Sequence, residues 1–202
     1  TREALIIVFA NHRRGRNIID WVIDTQSPVV SREGDTLWES RNITELYTTG
    51  FEAMLTLYPQ QLINPGFPVS FVSVHYAFNT TNKQSGAFLS RYALDYLRHK
   101  LVVKTSHKIT NSLNVSWQAG WHDREGSYTF FDTEKKQYGT EKEYKPVLLI
   151  DGKIWWQNSF LKIFVECSNL LNKKYYDIGN IKLAGRWLSA GVRVKITGKT
   201  KK

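Results

Sequence analysis

Apolar and polar residues alternate with a period of two through much of this chain. The clearest run is 112–124. Leu113, Val115, Trp117, Ala119 and Trp121 fall on one side, and Asn114, Ser116, Gln118, Gly120, His122 and Arg124 on the other. A β-strand turns successive side chains to opposite faces, so this run reads as a strand with one greasy and one polar side. Residues 147–156 and 160–168 also alternate, and only Gln157-Asn158-Ser159 separates them, which is a hairpin signal. In the second run Leu161, Ile163, Val165 and Cys167 point one way. Lys162, Glu166 and Ser168 point the other, with Phe164 as the exception.

The same reading extends to the whole chain. It predicts about eight antiparallel strands: one from residue 3 through 9 and on towards 23, then 38–58, 69–78, 90–106, 112–124, 147–156, 160–168, and a last one ending near 196. Several exceed the ordinary length of about five or six residues. A tilted membrane-crossing strand needs about nine to eleven. The connections alternate in length. Those at 25–36, 79–89 and 125–143 are long, and those at 107–111 and 157–159 are short. Residues 59–67, with Pro59, Pro65 and Gly66, are longer than a tight turn. Membrane barrels keep short turns at one end and long loops at the other.

Between the last two strands lies Asn169-Leu170-Leu171-Asn172-Lys173-Lys174-Tyr175-Tyr176, then Gly179, then Gly185-Arg186-Trp187 and a final alternating strand. This succession resembles the C-terminal end of TonB-dependent outer-membrane receptors. Their penultimate strand carries an Asn-Leu-x-Asn-Lys-x-Tyr-Tyr stretch, followed by Gly-Arg-aromatic at the start of the closing strand. The resemblance reaches back to Ile18-Ile19-Asp20-Trp21 and Gly50-Phe51-Glu52, nearly the whole chain. It implies an all-β, antiparallel up-and-down transmembrane β-barrel. These residues would be about the last eight strands of a 22-stranded barrel that surrounds an N-terminal plug. Residues 1–196 would form the barrel segment and 197–202 a polar tail. Both ends of the segment would be periplasmic, and the loops near Gly34, Gly86, Lys136 and Gly179 extracellular.

Composition agrees with such a barrel. Aromatics make up 13% of the 202 residues, with seven Trp and ten Tyr, which suits aromatic girdles. The mean hydropathy of −0.38 does not argue against a membrane barrel, whose strands turn half their residues to a polar interior. No apolar run approaches the ~20 residues of a spanning helix. Thr1-Arg2-Glu3 leads straight into a strand without a signal peptide, so an exported family implies a piece of a longer chain. Cys167 is the single cysteine, which excludes an intrachain disulfide. Trp117, Trp121, Trp155, Trp156, Tyr175, Tyr176 and Trp187 lie at or near strand ends, where interfacial belts form.

The net charge of +10 admits a nucleic-acid footprint, attraction to anionic headgroups, or an interior lined with cations. The charges are spread along strands and turns, and no nucleic-acid motif occurs, so no nucleic-acid partner is expected. Arg98, Lys100, Lys162, Glu166 and Arg193 are expected on the lumen side. Eight strands alone would enclose a barrel just filled by side chains. Unpaired ions crowded there would cost several kcal/mol each, so a wider barrel fits better.

Candidate chemistry is sparse. Five histidines are scattered without ligand spacing, and no phosphate loop, dinucleotide fingerprint or nucleophile elbow appears. Asp151 and Glu166 read as strand residues rather than a catalytic pair. No enzyme activity, cofactor or metal is expected.

What remains is binding. The resemblance implies active uptake of a bulky scarce nutrient, such as an iron chelate, haem or corrinoid. The partners would be that small molecule, outer-membrane lipid, the chain's own plug and earlier strands, and the TonB system acting through the plug. Arg124, Tyr128 and Arg186, at the bases of two long loops, are the candidate ligand contacts. Arg offers a planar fork of donors to an anion and Tyr a flat amphipathic face. Pairing of Arg124 with Asp123 or Glu125 is the bland alternative. The competing function is a complete eight-stranded barrel with a structural, adhesive or binding role.

Overall fold

The computed structural model describes residues 3–24, 26–34, 36–83, 88–90, 96–128, 131–132, 137–138, 140, 142–177 and 181–196. The expected loop positions Gly86, Lys136 and Gly179 and the tail at 197–202 lie outside these residues.

Eight long strands form one antiparallel sheet. They are β1 (Ala4–Asp24), β2 (Glu39–Leu57), β3 (Val69–Lys83), β5 (Tyr96–Lys108), β6 (Leu113–Glu125), β11 (Val147–Gln157), β12 (Leu161–Ser168) and β13 (Trp187–Val194). Each pairs with its neighbour in the sequence, an up-and-down meander. A short strand β4 (Phe88–Ser90) from the β3–β5 connection pairs with Val22, Ile23 and Asp24 on the outer edge of β1. Between β2 and β3 lies a one-turn helix α1 (Pro59–Leu62), started by the proline. The β6–β11 connection holds two small hairpins: β7 (Ser127–Tyr128) with β10 (Lys142–Glu143), and β8 (Phe131–Asp132) with β9 (Gln137–Tyr138). Among the described residues β1 and β13 are not paired with each other, so the sheet is an open sector.

Register carries one apolar face across the sheet. Ile6, Leu55, Val74, Val103, Ala119 and Ile150 make one row, and Val8, Ala53, Tyr76, Leu101, Trp121 and Leu148 the next. Further along the sheet Leu113–Trp156–Ile163–Val192 and Val115–Ile154–Val165–Ala190 continue it, with Leu161 opposite Val194. Much of this face is exposed, Ile6 at 71% and Val192 at 64%, although Val115 is buried. Apolar side chains turned outward over so wide a surface suit a hydrocarbon solvent, not water.

The other face is mixed, with an apolar row of Ile7, Met54, Val102 and Leu149 between two more polar ones. Thr56, Ser73, Lys104, Gln118 and Asp151 form one row, and Glu52, Ala77, Lys100 and His122 another. Phe164, which broke the sequence alternation, lies on this face over Gly191. A Cβ on Gly191 would meet its ring at 2.5 Å, so the aromatic fills space a side chain would take.

One element runs past its expected boundary, and the belt residues split between faces. β3 runs on to Lys83 instead of ending near Phe78, because β2 supplies a partner edge as far as Leu46. Thr48 and Thr81 even share a hydroxyl hydrogen bond of 3.1 Å in that polar extension. The belt residues also divide. Trp117, Trp121 and Trp156 lie on the apolar face, but Trp155 lies on the polar face opposite Asn114 and Phe164. Adjacent strand residues cannot share a face. Trp187, opposite Ser168, likewise lies on the polar side.

Candidate functional site

The long connections gather at one end of the sheet, and two of them meet there. β6 ends in Arg124, whose guanidinium is nearly buried, 9% exposed, and whose Nη2 stands 2.6 Å from Asp177 Oδ1 in the β12–β13 connection. Arg124 also lies 5.8 Å from the Tyr144 ring centroid. The Tyr144 hydroxyl donates to the Asp177 carbonyl at 3.1 Å. Tyr128 stacks on Tyr176 with centroids 4.3 Å apart and leans on Tyr144 at 5.3 Å. Arg124 and Tyr128 therefore belong to one cluster, and Arg124 finds a carboxylate on a different loop rather than its chain neighbours. Glu125 pairs instead with Arg98 at 3.0 Å. Burial, with Asp177 and Asp151 nearby, pushes the Tyr175 phenol above its ordinary value.

Arg186 serves another structure. Its Nε and Nη2 donate to the Leu170 carbonyl at 3.1 and 2.7 Å. Its backbone N–H donates to Asn172 Oδ1 at 2.9 Å. Asn169 and Asn172 both take the left-handed conformation, with φ of 50°. Asn is among the few residues that tolerate it. The Asn169 amide is buried and donates to the carbonyls of Lys173 at 2.8 Å and Ala184 at 3.3 Å. Asp151 accepts the Asn169 N–H at 2.8 Å. The stretch that carried the sequence resemblance is thus a turn lock.

On the polar face a cavity of about 390 Å³ is lined by Met54, His75, Lys100, Lys104, His122 and Asp151 among others. Lys100 lines it. Lys162, Glu166 and Arg193 share that face further along: Lys162 stands opposite Arg193, with its ammonium 4.5 Å from the Trp155 ring centroid. Glu166 pairs with Lys153 at 2.8 Å. Arg98 stands apart, because the β5–β6 register shifts between Leu97 and His99 and takes it out of the alternation. Among the described residues no cluster of three His, Cys, Asp or Glu side chains could hold a metal ion.

Alternation and length had pointed to Arg124 and Tyr128 but not to Tyr144, Tyr176 or Asp177. Tyr175 and Tyr176 read from sequence as belt residues, and Asp177 beside them is the signal that points to a partner for Arg124.

The fold and this layout define a sector of an antiparallel up-and-down β-barrel. No protein-family model and no curated protein matches the sequence. Solved structures do. The pyoverdine outer-membrane receptor FpvA of Pseudomonas aeruginosa, bound to a heterologous pyoverdine, is 17% identical with a TM-score of 0.63 over 95% of this chain. The ferric enterobactin receptor PfeA of the same organism, in complex with enterobactin, gives 15% and 0.63 over 96%. The FrpB iron transporter of Neisseria meningitidis gives 13% and 0.60 over 95%. The chain spans 25% of that FpvA chain and 29% of the other two.

Proposed function

We propose that this chain is the C-terminal part of the barrel of a TonB-dependent outer-membrane receptor. In that role it helps take up a bulky scarce nutrient, an iron chelate, haem or a corrinoid, and works as a receptor rather than an enzyme. Residues 1–196 are its barrel segment and 197–202 a polar tail. The observation that carries the reading is the pairing of a largely exposed apolar face with a mixed, charge-bearing opposite face in an open, in-register sheet of long strands. In a membrane the first faces lipid and the second a wide interior. There Lys100, Lys162, Glu166 and Arg193 meet water and the plug. The margins β1 and β13, not paired with each other among the described residues, favour a wider barrel over the small complete one. The likeness to iron-chelate receptors supports an iron-chelate ligand over a corrinoid.

Ligand contact at the rim is assigned to Tyr128 with Tyr144 and Tyr176, which offer flat faces to a macrocycle or catechol. Arg124 orders this cluster through Asp177, and Arg186 holds the neighbouring turn. The test is complementation. The full-length receptor is placed in a receptor-deficient Gram-negative host and offered labelled ferric chelates, haem and corrinoids, with and without TonB. TonB-dependent uptake of one of them is expected. Correct insertion without uptake or binding of any would overturn the receptor reading. Deleting 130–141 should lower ligand binding and spare insertion, since an exposed loop contributes little to strand pairing. Unchanged affinity would remove this loop from the site.

A further inference from the structure

Asp151 reads in the sequence as an ordinary strand residue, yet in the fold it stands where β12 leaves β11. The ladder between those strands ends at Gly152 and Cys167. Beyond it the Ile150 carbonyl still accepts the Leu170 N–H at 2.8 Å. Asn169, between Ser168 and Leu170, is buried and left-handed. Its N–H goes to a side chain: Asp151 Oδ1 accepts it at 2.8 Å. The other oxygen, Oδ2, accepts from Gln118 Nε2 on β6 at 3.2 Å. An ionised carboxylate only accepts, so one side chain satisfies both donors. Gln118 stands between Lys104 and Asp151 in the row, which keeps the two strands' charges roughly 10 Å apart. Among the described residues Asp151 is in no ion pair.

What Asn169 holds gives this anchor its reach. Its amide clamps Lys173 and Ala184, accepting the Lys173 N–H at 2.9 Å and donating to the Lys173 and Ala184 carbonyls. Those two residues stand at the feet of a hairpin. Within it Leu183 donates to the Tyr175 carbonyl at 3.0 Å and Asp177 to the Ile181 carbonyl at 3.1 Å. The hairpin carries Tyr176, which stacks on Tyr128, and Asp177, which pairs with Arg124. A continuous path of hydrogen bonds therefore runs from Asp151 to the rim. Asp151 also lines the polar-face cavity beside Lys100 and Lys104, and a smaller one of about 220 Å³ beside Lys153 and Glu166.

We propose that Asp151 is a positioning residue for nutrient contact. From the inner side of the wall it sets the hairpin, and through the hairpin the stack of Tyr176 on Tyr128. It does not touch the nutrient. The inference rests on the assignment of Tyr128, Tyr144 and Tyr176 to nutrient contact. Removing the carboxylate leaves a buried N–H without an acceptor, which should weaken the ordered rim, and binding with it, about tenfold.

The test uses the full-length receptor in phosphatidylcholine vesicles, with meta-fluorotyrosine in place of tyrosine. Tyr128→Phe and Tyr176→Phe assign the two fluorine signals, whose positions report the stack. Asp151→Ala should move both signals and lower binding about tenfold for whichever of ferric enterobactin, haem and cobalamin the native receptor takes. Asp151→Asn keeps an acceptor for the Asn169 N–H, and it should hold both signals and affinity. Ser106→Ala, which loses a buried hydroxyl at the opposite end of the sheet, is the control and should move neither. Unmoved signals in an inserted Asp151→Ala receptor overturn the inference. So does an Asp151→Asn receptor as disturbed as Asp151→Ala. Moved signals with unchanged affinity overturn the role in nutrient contact. Native hydrogen exchange decides even if Asp151→Ala does not insert. After correction for intrinsic rates, the amides of Asn169, Asp177 and Leu183 should exchange together, because a hairpin held by its anchor opens with it. Slower exchange at Asp177 and Leu183 than at Asn169 means that the hairpin outlasts the anchor, and overturns the inference. A native receptor that binds none of the three probes sinks the receptor reading, while the fluorine signals and the exchange rates still judge the anchor.

Discussion

Arg124 at the end of β6 and Asp177 beyond β12 meet at 2.6 Å, and this contact ties two long connections that are separate in sequence. The pair is asymmetric, since Arg124 is 9% and Asp177 40% exposed. Arg124→Ala should leave a half-covered carboxylate, and Asp177→Asn a nearly buried guanidinium. A double-mutant cycle should give a coupling of about 1 kcal/mol, reduced from the buried-pair range by the exposure of Asp177. Limited proteolysis of the 126–146 connection reads the same effect. Both single variants should be cut faster than the native receptor, and equal rates would detach this pair from loop order.

Position on the apolar face sets a second expectation. Ile163 stands between Trp156 and Val192 in the register, and it is 44% exposed. Ile163→Arg should impair assembly, but at less than the roughly 2–4 kcal/mol of a mid-membrane position because Ile163 lies level with Trp156 near the short-turn end, while Ile163→Val should be mild. Lys162→Ala, one residue away on the polar face, should assemble. Equal folding of Ile163→Arg and Lys162→Ala barrels would mean the faces have been exchanged.

The turn lock makes a third. Asn169→Ala removes a buried amide that donates two hydrogen bonds and accepts one from the Lys173 N–H, and it places Ala at a φ of 50°. A loss of about 2–4 kcal/mol follows from the lost bonds and the left-handed backbone together. Asn169→Gly should recover the backbone share, about 1 kcal/mol. Gly185→Ala should be damaging as well, because its Cβ would collide with Asn172 Oδ1. Chemical unfolding of the refolded receptor measures all three. Identical stabilities for the Ala and Gly variants at 169 would remove the conformational argument.

The sheet was legible because alternation is a local property. Leu113 to Trp121 and Leu161 to Cys167 reveal their strands and faces without any partner. The site was less so. Nothing in the order of residues says that Arg124 reaches Asp177 across the barrel rim, since that depends on how two loops fold back. Trp155 and Trp156 look alike in sequence, yet only one can face lipid, and cross-strand register decides which. Asn172 and Arg186 stand out as a motif in the sequence, and only the fold shows that their hydrogen bonds close a turn. Only register shows that a bulge takes Arg98 out of the alternation.

Acid should loosen the rim at Asp24, at the tip of β1. Its carboxylate accepts the N–H groups of Gln26 and Ser27 at 2.9 and 3.1 Å and pairs with Arg41 at 2.9 Å. The two backbone hydrogen bonds and the guanidinium hold it below the ordinary carboxylate value. A depressed folded-state value means the contribution is whole above the unfolded value, about 3.9, and fades as pH falls through the folded one. The amide resonances of Gln26 and Ser27 should therefore move below that pH in the native receptor and stay flat in Asp24→Asn. The same titration in both would assign the change to another group.

Near its start β1 is apolar on both sides. Ile6 and Val8 lie on one side and Ile7 and Phe9 on the other, and all four are about half exposed or more. It is also the sheet's margin there, because β4 covers only Val22 to Asp24. Water can solvate neither side of such a strand, and its free edge offers backbone donors and acceptors to any chain that comes near. Until a neighbouring strand covers it, this segment is prone to pair with other copies. A chaperone that shields extended apolar chain should bind here first, and charges placed at Ile7 and Phe9 should release it.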